Sequence, residues 1–274
     1  MTFLLFVALG FAVGIIGSAF GLGGGIFVVP VLVLYAHVPI HNAIAASLLT
    51  IIATSSAVAS VNVERGLANV RLGLSLEVST AVGAVCGAFA AGYLPQNILK
   101  LLFAFLLAFA GLTMLRKSFV KKPAQSDADA VPAHPLGSEF TDPATGKVHR
   151  YGVKHMPAAS GISVFAGALS GLLGVGGGIV QVPLMNLICG VPMKAAAATS
   201  NFMLGVTAAA SAAIYFRQGY VLPEMTLLLV LGVLAGSVLG MKLLAGVRSK
   251  YLEAVFGVIA LLMAVQILRT AGYL

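Results

Sequence analysis

Two runs carry the residues that could do chemistry: GLGGGIFVVP, Gly21 to Pro30, and GVGGGIVQVP, Gly174 to Pro183. Each places consecutive glycines inside a long apolar segment. Glycine costs about 1 kcal/mol relative to alanine in a helix interior. What it offers is backbone freedom and uncovered N–H groups. At the start of a short helix such N–H groups, with the helix dipole behind them, form an anion site. The candidate backbone donors are Gly23, Gly24 and Gly25 in the first run and Gly176, Gly177 and Gly178 in the second. The competing role is close helix packing, which small residues also permit. Gly177→Val is the substitution that the donor reading expects to abolish anion handling.

Small polar side chains follow each run. Ser47, Thr50 and Thr54 lie three to four residues apart, on one helix face. Thr199, Ser200 and Asn201 stand at the corresponding place in the second half. Gln181 is a lone amide within the second run, where the first has Val28. The candidate binding side chains are therefore Ser47, Thr50, Gln181, Thr199, Ser200 and Asn201. Hydroxyls and amides can donate to an oxyanion without burying a fixed charge, although helix–helix hydrogen bonding uses the same residue types. Pro30, Pro39, Pro183 and Pro192 are expected as hinges that fix the half-helix ends. Glu77 falls inside an apolar run, either interfacial or a proton carrier, and His37 is a second candidate for proton coupling. His37 and His41 lack a carboxylate or thiol to complete a metal site, and Cys86 and Cys189 form no CxxC pair. No metal or cofactor is expected. The chain has no nucleotide loop and no Ser/His/Asp arrangement, so it does not read as an enzyme.

The elements that must position these residues are membrane helices. Hydrophobic residues make up 59% of the 274 positions and charged residues 9%. The mean hydropathy is +1.04. So few charges cannot cover a water-facing surface, and the lipid bilayer is the implied partner. Nucleic acid is not: the net charge of +8 forms no basic stripe. The N-terminal run lacks the positive flank of a signal peptide and reads as a retained membrane segment. Apolar runs recur at about 3–36, 40–62, 72–93 and 98–115, and again at about 157–190, 194–216, 223–244 and 251–271. Helices are the spans that satisfy their own backbone in lipid.

The two halves align at one offset, 153 residues. Residues 14–47 match 167–200 at 14 of 34 positions without a gap, which marks an internal duplication. The expected organisation is a membrane repeat at 1–116, a polar linker at 117–156 and a second repeat at 157–274. The linker begins as the flexible stretch KSFVKKPAQSDADA, then holds two β-prone runs flanking DPATGK, a small water-exposed hairpin. Charge decides the orientation of the repeats. If the broken run of each half re-enters, Arg65, Arg71, Lys194, Arg248 and Lys250 share the linker's side and Lys100, Arg217 and Arg269 oppose them. If everything spans, the count is even. The positive-inside rule then favours inverted repeats. The fold class is an all-α polytopic membrane protein of two homologous inverted repeats, each a glycine-broken, re-entrant half-helix segment plus three spanning helices. Paired broken helices point to a transporter's binding site.

The double glycine-rich run ending in proline, followed in the second half by VPMKAAAATSN, resembles the sulfite exporter TauE/SafE family, the TSUP permeases. In the first half the matching stretch reads AAS, without the threonine that Thr199 supplies. The resemblance covers the whole membrane part. It implies a secondary transporter of small sulfur-containing oxyanions, sulfite or organosulfonates, in the bacterial inner membrane, with export as its direction. An anion channel, an importer of another small anion, and a scaffold or sensor that does not transport are the alternatives. A small anionic substrate is the expected partner, and a homodimer stays open.

Overall fold

The computed structural model describes residues 2–20, 24–119, 136–141, 148–243 and 249–272. The first repeat comprises α1 (Thr2–Phe20), α2 (Gly25–Leu34), α3 (Ile40–Glu64), α4 (Val70–Tyr93) and α5 (Gln96–Phe119). Two antiparallel strands follow, β1 (Ser138–Thr141) and β2 (Val148–Tyr151). The second repeat comprises α6 (Met156–Leu173), α7 (Gly178–Pro183), α8 (Met193–Arg217), α9 (Pro223–Leu243) and α10 (Ser249–Thr270). The order of elements is the same in both halves: a helix, a short helix after the glycines, then three long helices. Among the described residues six helices are long and apolar enough to cross a membrane: α3, α4, α5, α6, α8 and α9.

The prolines act locally in two ways. Pro39 and Pro192 cap α3 and α8 with almost the same backbone, φ −53° and ψ 141° against φ −55° and ψ 140°. Pro30 does not end its half-helix, against the expectation from the sequence, whereas Pro183 does. Pro30 lies inside α2, which runs on to Leu34. Pro183 closes α7, after which the chain widens into a π-helical turn, Leu184–Ile188. A proline has no N–H to give to the preceding turn, so the register loosens where it sits.

Helix directions follow from where backbones touch. A Cβ on Gly83 or Gly87 of α4 would strike the carbonyls of Val164 or Ala168, and one on Gly167 or Gly171 of α6 those of Thr80 or Ala84. Residue numbers rise together, so α4 and α6 are parallel and in backbone contact, as small residues allow. Gly10 and Gly14 of α1 meet Leu229 and Val233 of α9, while Gly232 and Gly236 meet Val7 and Phe11, again parallel. In α5 and α10 the order reverses: Gly111 faces Leu261 and Gly257, and Gly257 faces Leu115. His41 Nε2 donates to the Ala91 carbonyl at the far end of α4, and the Asn42 amide reaches the Tyr220 carbonyl just beyond α8. Therefore α3 runs opposite to both α4 and α8. Each repeat thus lends its first helix to the fourth helical element of the other, and α3 crosses its counterpart α8.

The hairpin departs from expectation. Glu139 and Arg150 pair at 2.8 Å on its exposed face. Phe140 and Tyr151 on the other face, with Val153, are buried against Leu72, Leu76, Leu184 and Met185. Strand alternation gave the hairpin one apolar side, and that side docks on the starts of α4 and α8 and on the α7 segment instead of facing water. The DPATGK turn and most of the stretch read as a flexible linker lie outside the described residues; its first three residues continue α5.

Candidate functional site

The two glycine breaks meet on α3. The Ser47 hydroxyl donates to the Gly174 carbonyl at 2.6 Å, tying the third helical element of one repeat to the break of the other. Gly25, the first residue of α2, sits in the same place: a Cβ there would lie 2.5 Å from Ile51 Cδ1, 2.6 Å from Ser47 Oγ and 2.7 Å from the Gly174 carbonyl. One turn further along α3, Gly176 packs against Ile51 and Leu204 of α8. Three glycines need their unusual backbone: Gly24, Gly174 and Gly176 have φ of 71°, 65° and 71°. In that left-handed region a side chain is strained. Gly177 does not need it. Its φ is −59°, and an added Cβ would make ordinary contacts at 3.5 Å and beyond. Gly23 lies outside the described residues.

Each break opens a helix whose first N–H groups precede any helical bond. In α2 the first bond runs from Phe27 N–H to the Gly24 carbonyl, and in α7 from Val180 N–H to the Gly177 carbonyl. The N–H groups of Gly25 and Ile26, and of Gly178 and Ile179, therefore have no partner within their own helices.

The polar side chains separate into engaged and free. Thr50 donates back to the Ser47 carbonyl, and Thr54 to the carbonyls of Thr50 and Ile51. The Gln181 amide donates to Thr80 Oγ1 at 2.8 Å and accepts from Ser163, joining α7 to α4 and α6. Thr199 Oγ1 accepts from the Asn69 N–H at 2.9 Å. Ser200, the mate of Ser47, is 0% exposed, and its hydroxyl has no partner. Asn201 is buried beside it. Between α3 and α8, on the linker side of Ile51, lies an open groove of about 400 Å³ lined by Ser55, Ser56, Ser60, Phe202 and Gly205 among others.

Glu77 faces the interior of the bundle. It is buried, and its Oε1 accepts from Thr207 of α8 at 2.7 Å. His37 is exposed in the turn after α2, with φ 51°. Among the described residues no group of His, Cys, Asp and Glu could hold a metal.

Sequence reasoning missed Asn69. Its side chain caps α4 by accepting from the Leu72 N–H, its Nδ2 donates to the Leu136 carbonyl, and its backbone meets Thr199. An asparagine just before an apolar run is a helix-start signal, and that signal was available.

The model of the sulfite exporter TauE/SafE family matches residues 6–267. The chain belongs to this family. It is 27% identical over 277 residues to the probable membrane transporter protein YunE of Bacillus subtilis, covering 98% of each chain. It is 26% identical to the probable membrane transporter protein YdhB of the same organism, over 87% of this chain and 89% of that one. It is 25% identical to the probable membrane transporter protein MJ0441 of Methanocaldococcus jannaschii, over 94% of each. No solved structure matches it. As a member of the TauE/SafE family the chain is a multi-pass membrane transporter, and both glycine runs fall inside the matched region.

Proposed function

We propose that this TauE/SafE member is a secondary transporter that carries small sulfur-containing oxyanions, sulfite or a short organosulfonate, outward across the bacterial inner membrane. The observation that carries this reading is the meeting of the two glycine breaks beside Ser47. An oxyanion with three oxygens on sulfur needs several donors converging from different directions and no competing acid. The half-helix starts supply backbone N–H groups, and Ser200 supplies a buried hydroxyl whose hydrogen bond is unspent. Gln181 and Thr199, engaged in helix ties, would hold the α7 break and the start of α8 in place, or donate once those ties open. The serine-lined groove beside Ile51 is the proposed approach from the linker side.

We further read the repeats as inverted in the membrane. The argument rests on direction. Since α1 parallels α9, and α3 opposes both α4 and α8, α1 and α3 point the same way. The chain must therefore turn back between them, which the short α2 accomplishes. Rocking of one repeat against the other would then alternate access around the shared centre.

The test is a thermal-shift screen of the purified protein with sulfite, short alkanesulfonates, carboxylates and chloride, followed by flux in proteoliposomes. A ligand at 100 times its Kd stabilises the folded state by about 2.7 kcal/mol. A shift confined to sulfur oxyanions, with saturable flux, is the expected result. Equal response to chloride, or none to sulfur oxyanions, rejects the substrate class.

A further inference from the structure

The bundle buries one acid that neither helix packing nor the anion reading uses. Glu77 stands two turns into α4 and is 4% exposed. Thr207 of α8 donates to its Oε1, so the contact joins the two repeats. Its Oε2 is enclosed without a partner. Among the described residues no cation pairs with it; on the hairpin packed against the start of α4, Arg150 is exposed and paired with Glu139. The helices α6 and α7, with the π-turn after α7, contain no titratable residue. In α8 the charged residues are Lys194 and Arg217, at its two ends, and the hydroxyl of Tyr215 donates to the Leu172 carbonyl. In α3 His41 and Glu64 stand at opposite ends, and in α4 itself Arg71 and Cys86 are exposed while Tyr93 is terminal. A carboxyl group without a counter-ion at membrane depth is costly to keep and marks function more often than packing.

Its position supplies the function. Ser200 and Thr207 are seven residues apart, on one face of α8, a separation of about 10 Å. A negative charge on Glu77 opposes an anion held at Ser200. A proton bound at Oε2 removes that opposition. Because linkage is reciprocal, the anion equally favours the proton. Two ligands that favour each other load together.

We propose that Glu77 is a proton-binding site coupled to the anion site, and that one proton moves with each anion as symport. This rests on the substrate class of the anion reading above and not on its direction, because symport moves the anion the way the proton gradient runs. The proton passes from water on the loading side to Oε2 and leaves to water on the releasing side; no other bond changes.

The test uses the full chain in detergent and in proteoliposomes, with ethanesulfonate as probe because its charge is fixed across the working pH range. Above a midpoint, its affinity should weaken about tenfold per pH unit, the slope for one linked proton. Binding in weak buffer should take up protons. Glu77→Gln should bind at every pH with the wild-type low-pH affinity, and should keep exchange while a pH gradient no longer drives accumulation. Thr207→Val, which leaves the acid in place, should move the midpoint without flattening the slope. A flat wild-type profile, or a Glu77→Gln protein that keeps the slope, overturns the coupling and leaves the transport reading standing. Proton uptake by the wild-type protein decides the matter even where a variant folds poorly. If neither ethanesulfonate nor sulfite binds at any pH, the transport reading and the coupling fall together.

Discussion

At the scale of the residue, the informative contrast lies among glycines that look equivalent in the sequence. Gly25 faces two side chains and a carbonyl that a methyl group would meet at 2.5–2.7 Å. Gly25→Ala should destabilise the protein by about 1–3 kcal/mol, the usual cost of overpacking, and should abolish flux because the two breaks are forced apart. Gly177→Ala should melt within a few degrees of wild type and keep flux, since an added methyl group would make ordinary contacts and its φ is ordinary. The steric argument for the glycine runs therefore sits at Gly25, Gly174 and Gly176 rather than at Gly177, which the sequence alone made the natural choice. The two serines divide in a similar way. Ser47→Ala strands the Gly174 carbonyl in the interior and should cost about 1–3 kcal/mol in thermal unfolding. Ser200→Ala removes a hydroxyl with no partner, so it should leave stability nearly unchanged while weakening anion binding. Equal melting losses for the two would sink this distinction. The internal duplication made both serines legible as a pair. That one is tied and the other is free depends on carbonyl positions 127 residues away, which no local pattern carries.

At the scale of the element, the half-helices α2 and α7 were legible because glycine and proline punctuate an otherwise apolar run. The docked hairpin was not. Its alternation was visible, but composition gave no sign that Phe140 and Tyr151 had a membrane-side partner surface, because that surface is assembled from α4, α7 and α8. Phe140→Ala should release the hairpin and cost about 3–5 kcal/mol, the range for a buried phenylalanine, read as faster proteolysis between α5 and α6. Tyr151 supplies a pH signature. Burial pushes its phenol above the ordinary value of 10.0, against the opposing hydrogen bonds from Asn69 and Ser138. The docked hairpin thus keeps the proton over a range where the released hairpin has lost it. Its contribution to stability is complete below pH 10.0 and is lost as pH rises through the raised value. Alkaline titration should accordingly release the hairpin of the wild-type protein, followed by protease sensitivity, and Tyr151→Phe should shift that release to higher pH or remove it.

At the scale of the whole molecule, two repeats exchange their first helices, and this exchange fixes direction more firmly than charge does. The Lys and Arg count separates the two orientations by five against three, a narrow margin for the positive-inside rule. The contacts of Gly83, Gly87, Gly167 and Gly171 make α4 and α6 parallel. Those of Gly10, Gly14, Gly232 and Gly236 do the same for α1 and α9. If α1 and α2 together crossed the membrane once, α3 would oppose α1 and run parallel to α8. The contacts of His41 and Asn42 place the start of α3 beside the far ends of α4 and α8 instead. A chain that enters through α1, returns through α2 and crosses three times carries the hairpin to one face and the start of α1 and the end of α10 to the other. With the hairpin cytoplasmic, as its cluster of basic residues favours, Arg269 belongs to the outer face and Lys154 to the inner one. Single cysteines at these two positions, in a background of Cys86→Ala and Cys189→Ala, should therefore label from opposite sides of sealed cells. A membrane-impermeant maleimide should reach Arg269→Cys directly and Lys154→Cys after permeabilisation. Labelling of both from the same side would overturn the inverted arrangement, because no even number of crossings between the hairpin and the end of α10 is compatible with the observed helix directions.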